Sequence, residues 1–444
     1  MTRTWSTSKS TGCALPPAKS EAPRLSAALL AATAEALGRL LRFEGPADAV
    51  LSKFFREQPK LGGRDRSFVA ETAYAVLRRR RLLERLAGEE ASPRRLMLAA
   101  LARLSGISQR QLEPLIGGKE LQWLAEVRQR QPGEMTLAEQ ADFPDWLAER
   151  LLGQMDAARL LELAQGLNRP APLDLRVNPL KATREAALAR LAAEGIAAEV
   201  GRLSPLAIRL KAKPALQRHP LYLDGSIEVQ DEGSQLLGFL LAPRRGEMVA
   251  DFCAGAGGKT LLLGALMRST GRLYAFDVSV RRLARLRQRM ARSGLSNVHP
   301  LAIDGENDLR VKRLAGKFDR VLVDAPCSGL GTLRRNPDLK WRQTPQDVAE
   351  LAHKQRAILA AAARLVKPGG RLVYATCSIL EEENEAVVGA FLEAHPSFLP
   401  VSAGKILENQ GIVSGCGEHL RLAPHSHGTD GFFAAAFERQ PTER

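Results

Sequence analysis

At 444 residues the chain is too long for one ordinary core, so two or three domains are expected. A net charge of +15 favours a polyanionic partner, most often nucleic acid, with surplus solubility charge as the plain alternative. Five cysteines with no CxxC pair argue against a disulfide framework and a zinc knuckle, and 5% aromatic residues argue against a stacking platform for single strands.

Residues 1–22 are rich in Ser, Thr and Lys and contain Pro16-Pro17, which predicts a disordered tail. They lack an apolar leader segment, and no 18-residue apolar run occurs elsewhere, so a soluble, cytoplasmic protein with no membrane contact is expected. From Leu25 a helical stripe runs through Leu29, Leu30, Ala36, Leu37 and Leu40. Pro46 opens a second helix, and a third follows Gly62-Gly63 with Phe68, Ala70, Tyr74 and Leu77 inward. It ends in Arg78–Arg81. These cations suit a helix carboxyl end and equally suit RNA phosphates, and Lys53, Arg56, Arg64 and Arg66 nearby tip the reading toward RNA. Short helices over 92–104 and 107–116 complete an all-helical unit spanning residues 23–135.

Residues 140–225 change texture. A helix begins near Pro144, strand-like alternation follows at 173–178 and 207–210, and a helix at 183–194 is stopped by Gly195, which predicts a small α+β connector. Residues 226–440 alternate strand and helix to the end. Strands are expected at 248–252, 273–276, 300–303, 320–323, 371–375 and 432–437, with helices at 259–267, 281–292, 345–365 and 381–393. That order is the mark of an α/β domain with a doubly wound, mostly parallel sheet.

Two cysteines each follow an apolar, strand-like run: Val321-Leu-Val-Asp-Ala-Pro-Cys327-Ser-Gly and Leu372-Val-Tyr-Ala-Thr-Cys377-Ser. If the two strands are parallel neighbours, their carboxyl ends open onto the crevice where such sheets hold ligands. Two thiols beside Asp324 suit covalent catalysis on an electron-poor ring, although a lone cysteine is more often an inert buried thiol. Cys13 and Cys416 are read as structural.

The turn Asp251-Phe-Cys253-Ala254-Gly255-Ala256-Gly257-Gly258-Lys259-Thr260 follows a strand and opens a helix. A dinucleotide turn wants GxGxxG and matches imperfectly. A Walker phosphate loop matches at Gly258-Lys259-Thr260 but has Cys253 where a glycine belongs, and would make Asp324 a metal-site carboxylate. A turn of the S-adenosylmethionine type matches without exception. Asp277, 22 residues after Gly255 at the end of the next strand, suits the ribose hydroxyls, and Asp304, ending the third strand, suits the adenine edge. Either aspartate alone reads as a helix cap or turn residue.

Taken together, Glu228–Gln235, Asp251–Lys259, Asp324–Gly329, Arg334–Asp338 with Trp341, Ala375–Ser378 and Gly428–Phe433 resemble the RsmB (Sun/Fmu) branch of RNA cytosine-5 methyltransferases. The resemblance covers roughly residues 25–438. It implies a Rossmann-like class I methyltransferase domain, a NusB-like RNA-binding helical domain, S-adenosylmethionine as cofactor, and RNA as partner. The precedent within that branch is a cytosine of 16S ribosomal RNA, with tRNA and a non-catalytic assembly role as alternatives. The resemblance further implies Cys377 as nucleophile and Cys327 as the thiol that resolves the adduct. DNA cytosine methyltransferases use the Pro-Cys thiol instead, so this division of roles rests on the family. Asp324 is expected to hold the N3/N4 edge of the base, and Lys259 to lower a thiol's pKa or contact cofactor or base. The expected cofactor set is Cys253 to Lys259 with Asp277, Asp304 and Asp324. A monomer without a metal is expected.

Overall fold

The structure, a computed structural model, describes residues 24–89 and 91–441; the segment read as a tail, with Cys13, lies outside the described residues. The all-helical unit includes Ala27–Leu40, Ala47–Glu57, Gly63–Arg78, Arg80–Ala87, Pro93–Arg103 and Gly118–Gln129. Ser26 and Ser92 cap two of these by accepting from the amides of Leu29 and Arg95. In Gly63–Arg78 the buried face is Val69, Thr72, Ala73, Val76 and Leu77, while Phe68, Ala70 and Tyr74 are only partly buried. The expected stripe is thus rotated by about one residue. Small Ala73 packs with Ala36 and Leu40 of Ala27–Leu40 and with Leu51 and Phe54 of Ala47–Glu57, and the two rings stay partly exposed.

The connector is a four-stranded antiparallel sheet of β1 (Leu173–Val177), β2 (Ala198–Val200), β3 (Ala207–Leu210) and β4 (Ile227–Val229), in the order β2-β3-β1-β4. Residues 227–229, counted with the α/β domain ahead of its first expected strand, form β4. It instead completes the small sheet, with Leu175 opposite Val229 and Val177 opposite Ile227, because Ile227 is needed to close the core with Leu175, Ile208 and Leu191. The boundary therefore moves a few residues beyond 226.

The large sheet contains β5 (Met248–Asp251), β6 (Arg272–Asp277), β7 (Val298–Ala302), β8 (Phe318–Asp324), β9 (Val366–Thr376), β10 (Phe398–Val401), β11 (Leu420–Leu422) and β12 (Phe432–Arg439). Its order is β10-β12-β9-β8-β5-β6-β7, with β11 paired to β12. Strands β5 to β9 pair in parallel, while β10, β11 and β9 all meet β12 antiparallel. Apolar cores cover both faces. Leu236, Leu261 and Leu286 fill one, and Ile358, Leu359 and Val387 fill the other, which is the doubly wound arrangement. Among the described residues no helix is long and apolar enough to cross a membrane.

Arg78–Arg81, half-buried, each have a partner within the fold, as the structural alternative to RNA contact requires. Arg78 donates to the carbonyl of Arg334 at 2.9 Å and Arg79 pairs with buried Asp142 at 2.9 Å. Arg80 lies over the Trp341 ring at 5.1 Å, and Arg81 donates to the Phe143 carbonyl at 3.0 Å. The run joins the helical unit to the segments around Arg334–Trp341 and Asp142–Asp145, whose carbonyls and carboxylates need these donors once they leave water.

Candidate active site

Strands β8 and β9 are parallel neighbours, with Asp324 opposite Ala375, so both chains leave the sheet on the same side. The turn after β8 carries Cys327 and the turn after β9 carries Cys377. Their sulfurs stand 3.4 Å apart as free thiols, and the Cys377 amide donates to the Cys327 sulfur at 3.3 Å. Contact with Cys377 and burial together push the Cys327 thiol well above its ordinary pKa.

Both thiols line a cavity of about 650 Å³ together with Cys253, Ala254, Gly255, Ala256, Gly258 and Lys259 of the glycine turn. Asp277 and Asp324 complete its polar wall. Cys253 packs into the core beneath the turn, and burial pushes its thiol well above the usual range, leaving it inert. Lys259 Nζ lies 2.6 Å from Asp324 Oδ2. Burial opposes the ammonium, but Asp324 and the nearby Cys377 raise its pKa above the ordinary value, so it stays charged.

Asp277 accepts from the amide of Gly255 at 2.8 Å through one carboxylate oxygen and from Ser279 at 2.7 Å through the other. It fastens the glycine turn to the end of β6 as a turn residue, two positions before the helix cap Ser279, and also faces the cavity. Gly257 does not line the cavity. It takes φ of +84° as the cap of helix Gly258–Leu266, and a Cβ there would meet Leu286 Cδ1 at 2.1 Å. Asp304 does not join the site either. Strand β7 ends at Ala302, and the Asp304 carboxylate turns outward, 98% exposed and 3.9 Å from Arg310. Its neighbours Ile303 and Glu306 reach the cavity instead.

Three residues that support the site carried no role in the sequence reading. Asp251 ends β5 fully buried, accepts from Thr260 Oγ1 at 2.7 Å through Oδ2, and leaves Oδ1 without a partner. Burial lifts its pKa to about 7 despite that bond. Arg176 of the small sheet donates to the carbonyl of Gly258 at 2.6 Å, and Arg289 donates to that of Ala256 at 2.7 Å while gripping buried Glu228. Glu228 and Gln230 belong to the Glu228–Gln235 stretch already noted for its resemblance. Arg176 had no local signal, because its partner lies 82 residues away.

A family model described as 16S rRNA methyltransferase RsmB/F matches residues 238–438, and one described as an RsmF/B-like, ferredoxin-like domain matches residues 143–217. The ribosomal RNA small subunit methyltransferase B of Sodalis glossinidius is 34% identical over 409 residues, covering 85% of this chain and 90% of that one. A probable ribosomal RNA small subunit methyltransferase B of Bacillus subtilis is 36% identical over 315 residues, 68% of each chain. The crystal structure of PH0851 is similar with a TM-score of 0.76 at 28% identity, covering 94% of this chain and 99% of that one. By identity and coverage alike, this chain belongs to the RsmB/F family of methyltransferases.

Proposed function

We propose that this protein methylates carbon 5 of a cytosine in small-subunit ribosomal RNA, with Cys377 bonded to carbon 6 of the base during the reaction. The observation that carries the reading is the pair of free thiols 3.4 Å apart at one end of the cavity whose other end is the glycine turn. Relatives named ribosomal RNA small subunit methyltransferase B support the choice of RNA.

The residues of the cavity fit S-adenosylmethionine. A Cβ at Gly255 would meet nothing within 4 Å, so that backbone is open to a ligand. Asp251 Oδ1 is a buried acceptor awaiting a donor, and each Asp277 oxygen accepts one amide, which leaves capacity for hydroxyl groups. Ala254, Gly255, Ala256, Gly258 and Lys259, with Asp251 and Asp277, would hold the cofactor, which supplies an electrophilic methyl group.

Carbon 5 of cytosine is too weak a nucleophile to take that group unaided. Addition of the Cys377 thiolate to carbon 6 makes carbon 5 an enamine carbon; loss of the carbon-5 proton and expulsion of the thiolate later restore the aromatic ring. Lys259 supplies a positive charge beside Cys377 and Asp324. Asp324 accepts from the N4 and protonated N3 edge of the base, stabilising the ring as carbon 6 is attacked. Cys327, held as a thiol, assists release of the adduct rather than forming it. A paired base cannot reach this cavity, so the target is unpaired or flipped out. The helical unit, read as NusB-like, and the small sheet position the RNA.

The test is a covalent trap. Wild type, Cys327→Ala and Cys377→Ala are mixed with S-adenosylmethionine and small-subunit RNA, and adducts surviving denaturation are counted. Accumulation in Cys327→Ala and absence in Cys377→Ala is the expected result. The reverse pattern assigns Cys327 as nucleophile, and an adduct formed only with tRNA moves the substrate to that RNA.

A further inference from the structure

Directly behind the two cysteine turns sits Glu383, wholly buried. Its carboxylate gathers four uncharged donors. The Ser328 amide reaches Oε1 at 2.8 Å and Gln355 Nε2 reaches the same oxygen at 2.9 Å, while the hydroxyls of Ser328 and Ser378 both point to Oε2. Those serines are the residues immediately after Cys327 and Cys377. One carboxylate therefore bridges the two thiol-bearing turns.

The bridge extends to the other flank of each cysteine. Gln355 Nε2 also donates to the carbonyl of Pro326 at 3.0 Å, just before Cys327. Asn384, next to Glu383, accepts from Thr376 Oγ1 and donates to the Ser378 carbonyl at 3.2 Å, on either side of Cys377. Tyr374 on β9 fixes the Glu383 backbone by donating to its carbonyl at 2.6 Å. Burying such a group is a poor way to stabilise a fold, since an apolar residue of similar size does as well or better. Four converging donors demand an acceptor-only group, and among side chains only a carboxylate has that capacity.

We infer that Glu383 is the positioning residue of the dithiol: it locks the two cysteine turns in the register that keeps the Cys327 and Cys377 sulfurs in contact. It lies behind the cavity rather than lining it and acts through Ser328 and Ser378. Its importance for turnover rests on the function proposed above; its effect on thiol geometry does not. With the bridge broken, each turn is free to drift, and a drift of an ångström between attacking and resolving groups is enough to disable a reaction that requires both.

The experiment compares the full chain with Glu383→Gln, which keeps the size but turns an amide N–H toward converging donors. Diamide closes the two thiols into a disulfide; both thiol protons and one electron pair pass to its N=N bond, giving the hydrazine. Closure is followed by mass spectrometry of the linked Cys327 and Cys377 peptides and needs neither RNA nor cofactor. Glu383→Gln is expected to close markedly more slowly and to lose about a hundredfold in kcat, with the KM for S-adenosylmethionine unchanged. A wild-type closure rate in the folded variant overturns the inference. Slowed closure in a protein whose wild type methylates no RNA upholds the inference and rejects the proposed function. Should Glu383→Gln fail to fold, Ser328→Ala with Ser378→Ala removes two of the four donors and must slow closure likewise; a wild-type rate there also overturns it.

Discussion

The indole Nε1 of Trp341 donates to the carbonyl of Leu77 at 2.8 Å, across 264 residues of sequence. Around that bond Lys340 donates to the Arg78 carbonyl at 2.9 Å, Arg78 donates to the Arg334 carbonyl, and Asp338 accepts from the Ala47 amide at 3.2 Å. Arg334–Trp341 thus fastens the helical unit to the catalytic sheet, starting five residues after Gly329 of the Cys327 turn. Whatever the helices hold is kept at a set distance from the thiols.

Trp341→Ala removes the indole bond and the ring under Arg80. A half-buried anchor of this kind is worth about 2–4 kcal/mol, somewhat below a fully buried ring. The expected outcome in a denaturant titration is two separate transitions where the wild type shows coupled unfolding of the helical unit and the α/β domain. An unchanged profile would show that the remaining contacts carry the interface.

Lys340 is fully buried beneath Trp341 and Phe143, donating to the Arg78 carbonyl and to Asn168 Oδ1. Burial pulls its ammonium down to about 7, against the attraction of Asp142 and with the repulsion of Arg79 and Arg78. Between that value and the ordinary 10.5 the unfolded chain binds more protons than the folded one, so this residue makes stability rise with pH across the window. Lys340→Met has no such proton to bind. Urea midpoints of the two proteins are expected to diverge in favour of wild type as pH goes from 7 toward 10; parallel curves would mean that the folded lysine keeps its ordinary pKa.

Two glycines of the turn after β5 separate folding from the proposed binding. Gly257→Ala combines φ of +84° with a Cβ 2.1 Å from Leu286, and is expected to destabilise by about 2–5 kcal/mol. Gly255→Ala, at φ of +57° with open space before it, costs only about 1–2 kcal/mol of backbone strain but places a methyl group in the cavity. Thermal unfolding should rank Gly257→Ala as the less stable protein. Calorimetry should show that the folded Gly255→Ala protein has lost affinity for S-adenosylmethionine.

Much of the α/β domain was legible because its signals are local. Each buried parallel strand is a short apolar run, each helix between has its own start and stop, and the expected strands lie within a few residues of those observed. The short edge strands β10 and β11 escaped, since three or four residues paired only to β12 carry too little pattern. The partners of the arginine run were hidden for a related reason. Charge is visible in sequence, but the carbonyls and carboxylates that meet Arg78, Arg79 and Arg81 lie 62 to 256 residues away, and only Glu84, beside Arg80, is local.

By itself the sequence determined the alternation of strand and helix, the glycine turn, and the placement of each cysteine just beyond a strand. All are decided by neighbours within a few residues, through burial of apolar runs and the backbone freedom of glycine. Only the tertiary structure decided that the two sulfurs stand in contact, that Glu383 ties their turns together, that Lys259 is held by Asp324, and that Asp304 faces water. These follow from which strands lie side by side and where each chain leaves the sheet. Such pairings are set by the packing of the whole core, and no single stretch of sequence encodes them.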